Sequence, residues 1–284
     1  MTTRLDSELV RRGLARSRGH AGELIAAGRV SVGGRAVARA SVQVSDEDAV
    51  DVALDPDDPG YASRAAHKLA GVLDQLGPDG PRVEGALCLD AGASTGGFTD
   101  VLLRRGARRV VAVDVGHDQL VPALREDPRV EVREGVNVRS LAVGDVDPAP
   151  GVVVADLSFI SLTLVLPALA SVAAPGADLL VLVKPQFEVG RERLGSGGVV
   201  RDAGLRARAV RDVARAAGAA GLAVRAVARS VLPGPSGNVE YFLWLVAGDA
   251  PPEPDGVPLD DAVREVVEGG IEMRRVRAAL GGEA

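Results

Sequence analysis

The chain has 284 residues, room for one large domain and a small one. It is 46% hydrophobic but only 2% aromatic, so a core of Val, Leu, Ile and Ala is expected, and holding single-stranded RNA mainly by base stacking is excluded. The net charge of −6 argues against a nucleic-acid binder taken whole, but that charge is unevenly distributed. Residues 1–44 carry eight Arg, at positions 4, 11, 12, 16, 18, 29, 35 and 39, against Asp6, Glu8 and Glu23. Residues 45–58 then carry seven acids and no base. This reads as a basic module followed by an acidic boundary. No uncharged apolar run reaches about 18 residues and no apolar leader follows the N-terminal charges, so a cytoplasmic protein is expected. The one cysteine, Cys88, lies in an apolar strand-like run and reads as a small buried residue rather than a nucleophile.

Residues 4–28 show apolar positions at helical spacing. Leu5, Leu9, Leu14, Leu24 and Ile25 would form the inner face of two short helices punctuated by Gly13 and Gly19. Gly28 to Val37 reads as a strand, a tight turn at Gly33-Gly34 and a second strand. Together with Arg4-Leu5-Asp6, Leu14-Ala15-Arg16-Ser17-Arg18 and Ile25-Ala26-Ala27-Gly28-Arg29, these segments resemble the S4 RNA-binding domain. That resemblance implies phosphate contacts by Arg4, Arg11, Arg16, Arg18 and Arg29 in a folded RNA. The alternative is a solvated helix face on a small adaptor. Residues 1–52 are therefore assigned to a small α+β module, 53–60 to a linker and 61–284 to the main domain.

From residue 61 onward, strands and helices alternate. Strands are expected at 86–90, 109–114, 130–134, 151–156, 177–184, 223–232 and 241–247. Helices are expected from 61–76 and at 96–106, 118–126, 162–173, 202–220 and 259–280. This alternation predicts an α/β, doubly wound, mostly parallel seven-stranded sheet, whose ligand lies beyond the carboxyl ends of its strands.

The first of these strands ends in Asp90-Ala91-Gly92-Ala93-Ser94-Thr95-Gly96-Gly97-Phe98. Glycines there let backbone approach a ligand. An acid at Asp90 would repel a pyrophosphate but suits the cationic amino-acid end of S-adenosylmethionine. No Lys follows the glycines, which excludes a Walker motif. Asp114 ends the second strand, where an acid can accept from ribose hydroxyls. The candidate cofactor residues are thus Asp90, Gly92, Ser94, Gly96, Gly97, Phe98, Asp114 and Asn137, with Asn137 either near the adenine or capping a helix.

Four ionisable residues sit at comparable places: Lys68 on the helix that opens the domain, Asp156 and Lys184 at the ends of apolar strands, and Glu240 at the start of the last. A ribose hydroxyl becomes a good nucleophile when its proton is taken, and a lysine beside a second lysine can be neutral and act as base. This Lys-Asp-Lys-Glu set on such a sheet resembles the FtsJ-type 2′-O-methyltransferases, a Rossmann-like class I fold. With an S4 domain in front, the chain is similar to the TlyA family over roughly residues 4–270. The strongest parts are 63–69, 90–98, 155–162, 183–190 and 233–244. The resemblance implies S-adenosylmethionine as cofactor, cytidine 2′-hydroxyls of ribosomal RNA in both subunits as substrate, and catalysis by Lys68, Asp156, Lys184 and Glu240. Where relatives carry a basic and aromatic linker, this chain has Asp58-Pro59-Gly60-Tyr61-Ala62.

The glycine- and arginine-rich stretch 187–198 reads as a lid or a plain loop, and 234–238 as a turn that either places Glu240 or is purely structural. Arg206, Arg208, Arg211 and Arg215 read as a solvated helix face. His20, His67 and His117 lack metal-ligand spacing, so no metal is expected. Two other function classes stand beside the enzyme. One is a non-catalytic ribosome-assembly factor; the other is a membrane-active protein, after the family's old hemolysin label, for which no spanning segment is visible.

Overall fold

The computed structural model describes residues 2–15, 18–53, 59–248, 253 and 255–277. It divides into two compact units, Met1–Arg64 and Ala65–Ala284.

In the first unit, β1 (Thr2–Arg4) leads into α1 (Leu5–Arg11), followed by α2 (Arg18–Ala26), β2 (Val30–Val32), β3 (Arg35–Ala36), β4 (Gln43–Ser45) and β5 (Val50–Val52). Leu5, Leu9, Ala21, Leu24, Ile25, Val30, Val44 and Val50 close its core, and Leu14 packs against them half-buried. Gly13, at φ +69, ends α1. Gly19 does not punctuate the helices as expected but lies within α2. The β2–β3 hairpin turns at Gly33 and Gly34, both at positive φ, and β5 pairs on the other side of β2. Strands β1, β4 and β5 were not expected. Three residues are too few to show alternation.

The second unit opens with α3 (Ala65–Leu76). Then come β6 (Leu87–Ala91), α4 (Gly97–Arg104), β7 (Arg109–Val113), α5 (Pro122–Arg125) and β8 (Val130–Arg133). They are followed by β9 (Val152–Ala155), α6 (Leu166–Val172), β10 (Asp178–Val183), α7 (Pro185–Glu188) and α8 (Ala203–Ala219). The unit ends with β11 (Leu222–Arg229), β12 (Tyr241–Ala247), α9 (Leu259–Val263), a π-helical turn Arg264–Glu268 and β13 (Met273–Arg275). The sheet order is β13-β11-β12-β10-β9-β6-β7-β8. The five strands from β10 to the edge strand β8 run parallel, and β12, β11 and β13 are antiparallel to their neighbours. The inner strands are apolar apart from Asp90 in β6 and Asp178 at the start of β10, because helices cover both faces of a parallel sheet.

Two expectations are corrected. The sheet has eight strands among the described residues, not seven, and the stretch 259–280 is not one helix: helical structure stops at Glu268. Gly269 and Gly270, the latter at φ +74, break it, and Met273–Arg275 pairs with β11. Proline shortens two others. Pro122 sets the start of α5, and Pro167 divides 162–173 into a 3-10 turn and α6.

Candidate active site

Register brings the ionisable residues together. Val183 of β10 pairs with Tyr241 of β12, so Lys184 leaves one strand beside the point where Glu240 enters the other. Val181 pairs with Ala155, which puts Asp156 next to the same end. Lys68 comes from α3. Its Nζ donates to Glu240 Oε2 at 2.6 Å, with both side chains buried. Lys184 Nζ lies 2.6 Å from Asp156 Oδ1 as an ion pair and donates to Ser158 Oγ at 2.9 Å. The lysines are thus each matched to a carboxylate. Lysine against lysine, the arrangement from which the sequence argued a neutral amine, is not the pairing adopted. Buried charges persist where they are paired in this way.

Glu240 is held from several sides. Gln186 Nε2 donates to its Oε1 at 3.3 Å, and Ser230 N donates to its carbonyl at 3.0 Å. A Cβ on Gly234 would lie 2.5 Å from Glu240 Oε1, so the turn 234–238 needs glycine there to pass the carboxylate. Asn238 is buried; its Oδ1 accepts from Val200 N and its Nδ2 donates to Gly198 O. The stretch 195–200 is therefore tied to the turn that sets Glu240.

Beside these pairs lies a cavity of about 450 Å³, within the usual size of a small-molecule site. Gly92, Ser94, Asp114, Asn137 and Asp156 line it, with Val115, Val136, Leu157 and Ile160 supplying apolar wall. Both oxygens of Asp114 are engaged: Oδ2 accepts from Ser94 N at 2.8 Å and Oδ1 from Gly116 N at 2.7 Å. Asp114 thereby stitches the glycine loop to the loop after β7. Asn137 does both things weighed for it, lining the cavity while its side chain caps the turn Val138–Ser140 by accepting from Arg139 N. Gly92, at φ +87, brings its backbone so close to Asp156 that an added Cβ would meet that carbonyl oxygen at 2.7 Å.

The other candidate cofactor residues lie behind this surface. Asp90 is fully buried; its Oδ2 accepts from Thr99 Oγ1 at 2.7 Å while Oδ1 has no partner. Burial pushes the Asp90 carboxyl up to about 7. Gly96 and Gly97 start α4, and a Cβ on Gly96 would strike Leu124 at 2.4 Å. Phe98 is a core residue stacked on Phe242, with centroids 6.2 Å apart. None of these four lines the cavity. An S-adenosylmethionine molecule fits the residues that line the cavity: apolar wall for a base, and the carboxylates of Asp114 and Asp156, with an Asp156 oxygen that, apart from its ion pair with Lys184, lacks a hydrogen-bond donor, for a cationic centre.

The sequence offers Ser158 only as a nucleophile without a His partner and gives Gln186 no role, yet Ser158 lines the cavity and accepts from Lys184, and Gln186 donates to Glu240. Sequence reasoning also passed over a compositional signal. Of 33 Lys and Arg, just two are Lys, and they are Lys68 and Lys184. Arg serves every other basic position. A base that gives up its proton cannot be Arg, which stays charged in proteins.

In the first unit Arg4, Arg11, Arg12, Arg18 and Arg29 are engaged internally. Arg4 and Arg18 both donate to Asp6 at 3.0 Å, and Arg11 bonds Glu8 and Asp46. These guanidiniums hold the buried Asp6 carboxyl well below its usual range and that of Glu8 down to about 2. Arg29 donates to Ala53 O, and Arg16 lies outside the described residues. On α8, Arg208 and Arg215 pair with Asp212 and Arg211 with Asp260, while Arg206 reaches Tyr241 Oη. Burial pushes the Cys88 thiol up to about 12. Among the described residues no His, Cys, Asp and Glu cluster is placed to hold a metal, and no helix is long and apolar enough to cross a membrane.

A paired-lysine site at the carboxyl ends of a Rossmann-like sheet agrees with what comparison finds: residues 61–247 match the model of the FtsJ-like methyltransferases, and the chain belongs to that family. Residues 3–50 match the S4 domain. Among relatives, the 16S/23S rRNA (cytidine-2′-O)-methyltransferase TlyA of Mycobacterium tuberculosis is 54% identical over 242 residues, covering 85% of this chain and 89% of its own. Hemolysin A of Brachyspira hyodysenteriae is 38% identical, covering 86% of this chain and 99% of its own. A solved structure titled as a hemolysin from Streptococcus thermophilus superposes with TM-score 0.73 at 34% identity, covering 94% of this chain and 96% of that one.

Proposed function

We propose that this protein transfers a methyl group from S-adenosylmethionine to the 2′-hydroxyl of cytidines in ribosomal RNA of both subunits. The observation that carries the reading is the Lys184–Asp156 pair at the edge of a cavity that Asp156 and Ser158 themselves line. The 54% identity to a relative named for that reaction on 16S and 23S rRNA supports the substrate. When bound, S-adenosylmethionine supplies an electrophilic methyl group. Asp114, Asn137, Gly92 and Ser94 would hold it, with the carboxylates of Asp90 and Asp156 favouring its positive charge.

The chain's own residues prepare the nucleophile. Lys184 Nζ, after passing its own proton to Asp156 or to solvent, takes the 2′-hydroxyl proton, leaving the oxygen with the electron pair that forms the new bond. Asp156 and Ser158 aim that amine. Lys68 and Glu240 pair with each other, and their mutual neutralisation keeps a charged phosphodiester tolerable nearby. Such proton removal is worth about a hundred- to ten-thousandfold in rate. The first unit, with its S4 match, docks the folded RNA through its Arg side chains.

The test is transfer of labelled methyl from S-adenosylmethionine to purified, unmodified small and large ribosomal subunits. Wild type is expected to label RNA in both. Lys184→Ala and Lys184→Arg are both expected to abolish transfer, because arginine keeps the charge but cannot take the proton. Full activity in Lys184→Arg would remove lysine from the mechanism. Bound RNA without any labelling by wild type would favour an assembly factor.

A further inference from the structure

Glu188 is a titratable side chain that the chemistry above does not use, yet it sits four residues beyond Lys184, at the end of α7. Its Oε1 accepts from Leu162 N at 2.8 Å and its Oε2 from Ser161 Oγ at 2.5 Å. Ser161 also bonds Thr163 Oγ1 at 2.7 Å and caps the turn Leu162–Leu164. Two segments thus leave neighbouring strand ends, 156–162 after β9 and 184–188 after β10, and are tied twice. The near tie is Lys184 to Asp156 and Ser158; the far tie is Glu188 to Ser161 and Leu162. Between the ties, Phe159 is held at φ +64, a strained conformation for an aromatic residue, and its ring meets Phe187 at 5.3 Å. A seven-residue loop with a strained residue at its middle needs an anchor at its far end to keep one shape.

We propose that Glu188 is a positioning residue, fixing the 156–162 loop against the Lys184 segment so that Asp156 and Ser158 aim the lysine amine. This rests on the methyl-transfer reading. Burial pushes the Glu188 carboxyl above its usual range, with Asp212 adding to the effect, so a carboxylate kept here is doing so against a cost. Two hydrogen bonds, not charge, are what the loop takes from it. Glutamine can make both, with Oε1 accepting from Leu162 N and Nε2 donating to Ser161 Oγ.

The experiment compares wild type, Glu188→Ala and Glu188→Gln in methyl transfer to ribosomal subunits, and records the ε-methylene NMR signals of 13C-lysine in the same proteins. With two lysines in the chain, the spectrum has two sets of signals. Glu188→Ala is expected to lower kcat by about a hundredfold, the scale of small misplacements near a reacting centre. KM for S-adenosylmethionine is expected to stay within about twofold. Glu188→Gln should restore most of kcat, and Glu188→Ala should move the Lys184 signals while leaving those of Lys68 in place. An unchanged kcat in Glu188→Ala, or a Gln variant as impaired as Ala, would overturn the proposal. If Glu188→Ala does not fold, Ser161→Ala removes one of the same two bonds: lowered kcat at constant KM upholds the proposal and unchanged kcat overturns it. If wild type transfers no methyl, the methyl-transfer reading fails by itself, and the lysine signals still decide whether Glu188 places Lys184.

Discussion

Asp90 shows how a single burial sets a pH dependence. In the unfolded chain it titrates near 3.9, and in the folded chain at about 7. The unfolded chain therefore loses this proton first. The stability the protonated carboxyl contributes is complete below about 4 and declines as pH rises toward 7. Asp90→Asn cannot ionise, so its melting temperature relative to wild type should rise between pH 5 and pH 8. Parallel melting curves across that range would refute the assignment. At this scale the sequence was informative about strand ends and less so about facing. Asp156, Lys184 and Glu240 drew attention by position, since a polar residue bounding an apolar run must lie where the strand ends, whereas Lys68, on a helix, joined them through the family resemblance. Asp90 drew attention too, but the pattern of a five-residue buried strand cannot say whether a side chain faces the cavity, and this one lies behind it against Thr99. Phe98 follows the glycines closely enough to suggest a ligand contact, yet it turns to Phe242, 144 residues further along.

At the scale of elements, β13 is the part hardest to read ahead of the structure. Leu259, Val263, Val266 and Val267 keep a helical period up to Glu268, and a three-residue strand shows no period of its own. Its partner β11 lies more than forty residues earlier, a pairing no local pattern encodes. Arg275 fastens it. Its guanidinium lies 4.7 Å from the Trp244 ring centroid and donates to Leu76 O, the last residue of α3, at 2.9 Å. Arg225 also lies over Trp244, at 5.3 Å, and Trp244 Nε1 donates to Asp178. Arg275→Ala is expected to lower stability by about 1–3 kcal/mol, through the lost cation–π contact and an unpaired carbonyl. Trp244 is the sole tryptophan, so its fluorescence follows this corner directly during urea unfolding. A midpoint equal to wild type would show that β13 is held by its backbone alone.

For the whole molecule, the segregation of charge was plain from the sequence, but how the arginines are used was not. Composition does not reveal that Asp6 and Glu8, read as minor offsets to eight Arg, are the buried centres around which Arg4, Arg11, Arg12 and Arg18 gather. Arg35 and Arg39 are exposed and have no acidic partner among the described residues. Binding of ribosomal RNA should therefore respond differently to the two groups. Arg35→Ala is expected to reduce the slope of log affinity against log salt by about 0.7–0.9 with the melting curve unchanged, one phosphate's worth of counterion release. Arg4→Ala should weaken the first unit's fold as well, because it leaves the buried Asp6 with one guanidinium fewer. Equal salt slopes in wild type and Arg35→Ala would exclude that side chain from the interface.

The two lysines have a further consequence, in the ordinary chemistry of a cell. Acetyl and other acyl groups reach lysine side chains on many proteins, and most such marks fall on solvent-facing amines that tolerate them. This chain offers no such amine: Lys68 and Lys184 are 6% and 8% exposed, each against its carboxylate. On the methyl-transfer reading proposed above, acylation of any lysine here would erase one of the two amines assigned to the reaction. On that reading, lysine acylation and loss of methyl transfer would go together.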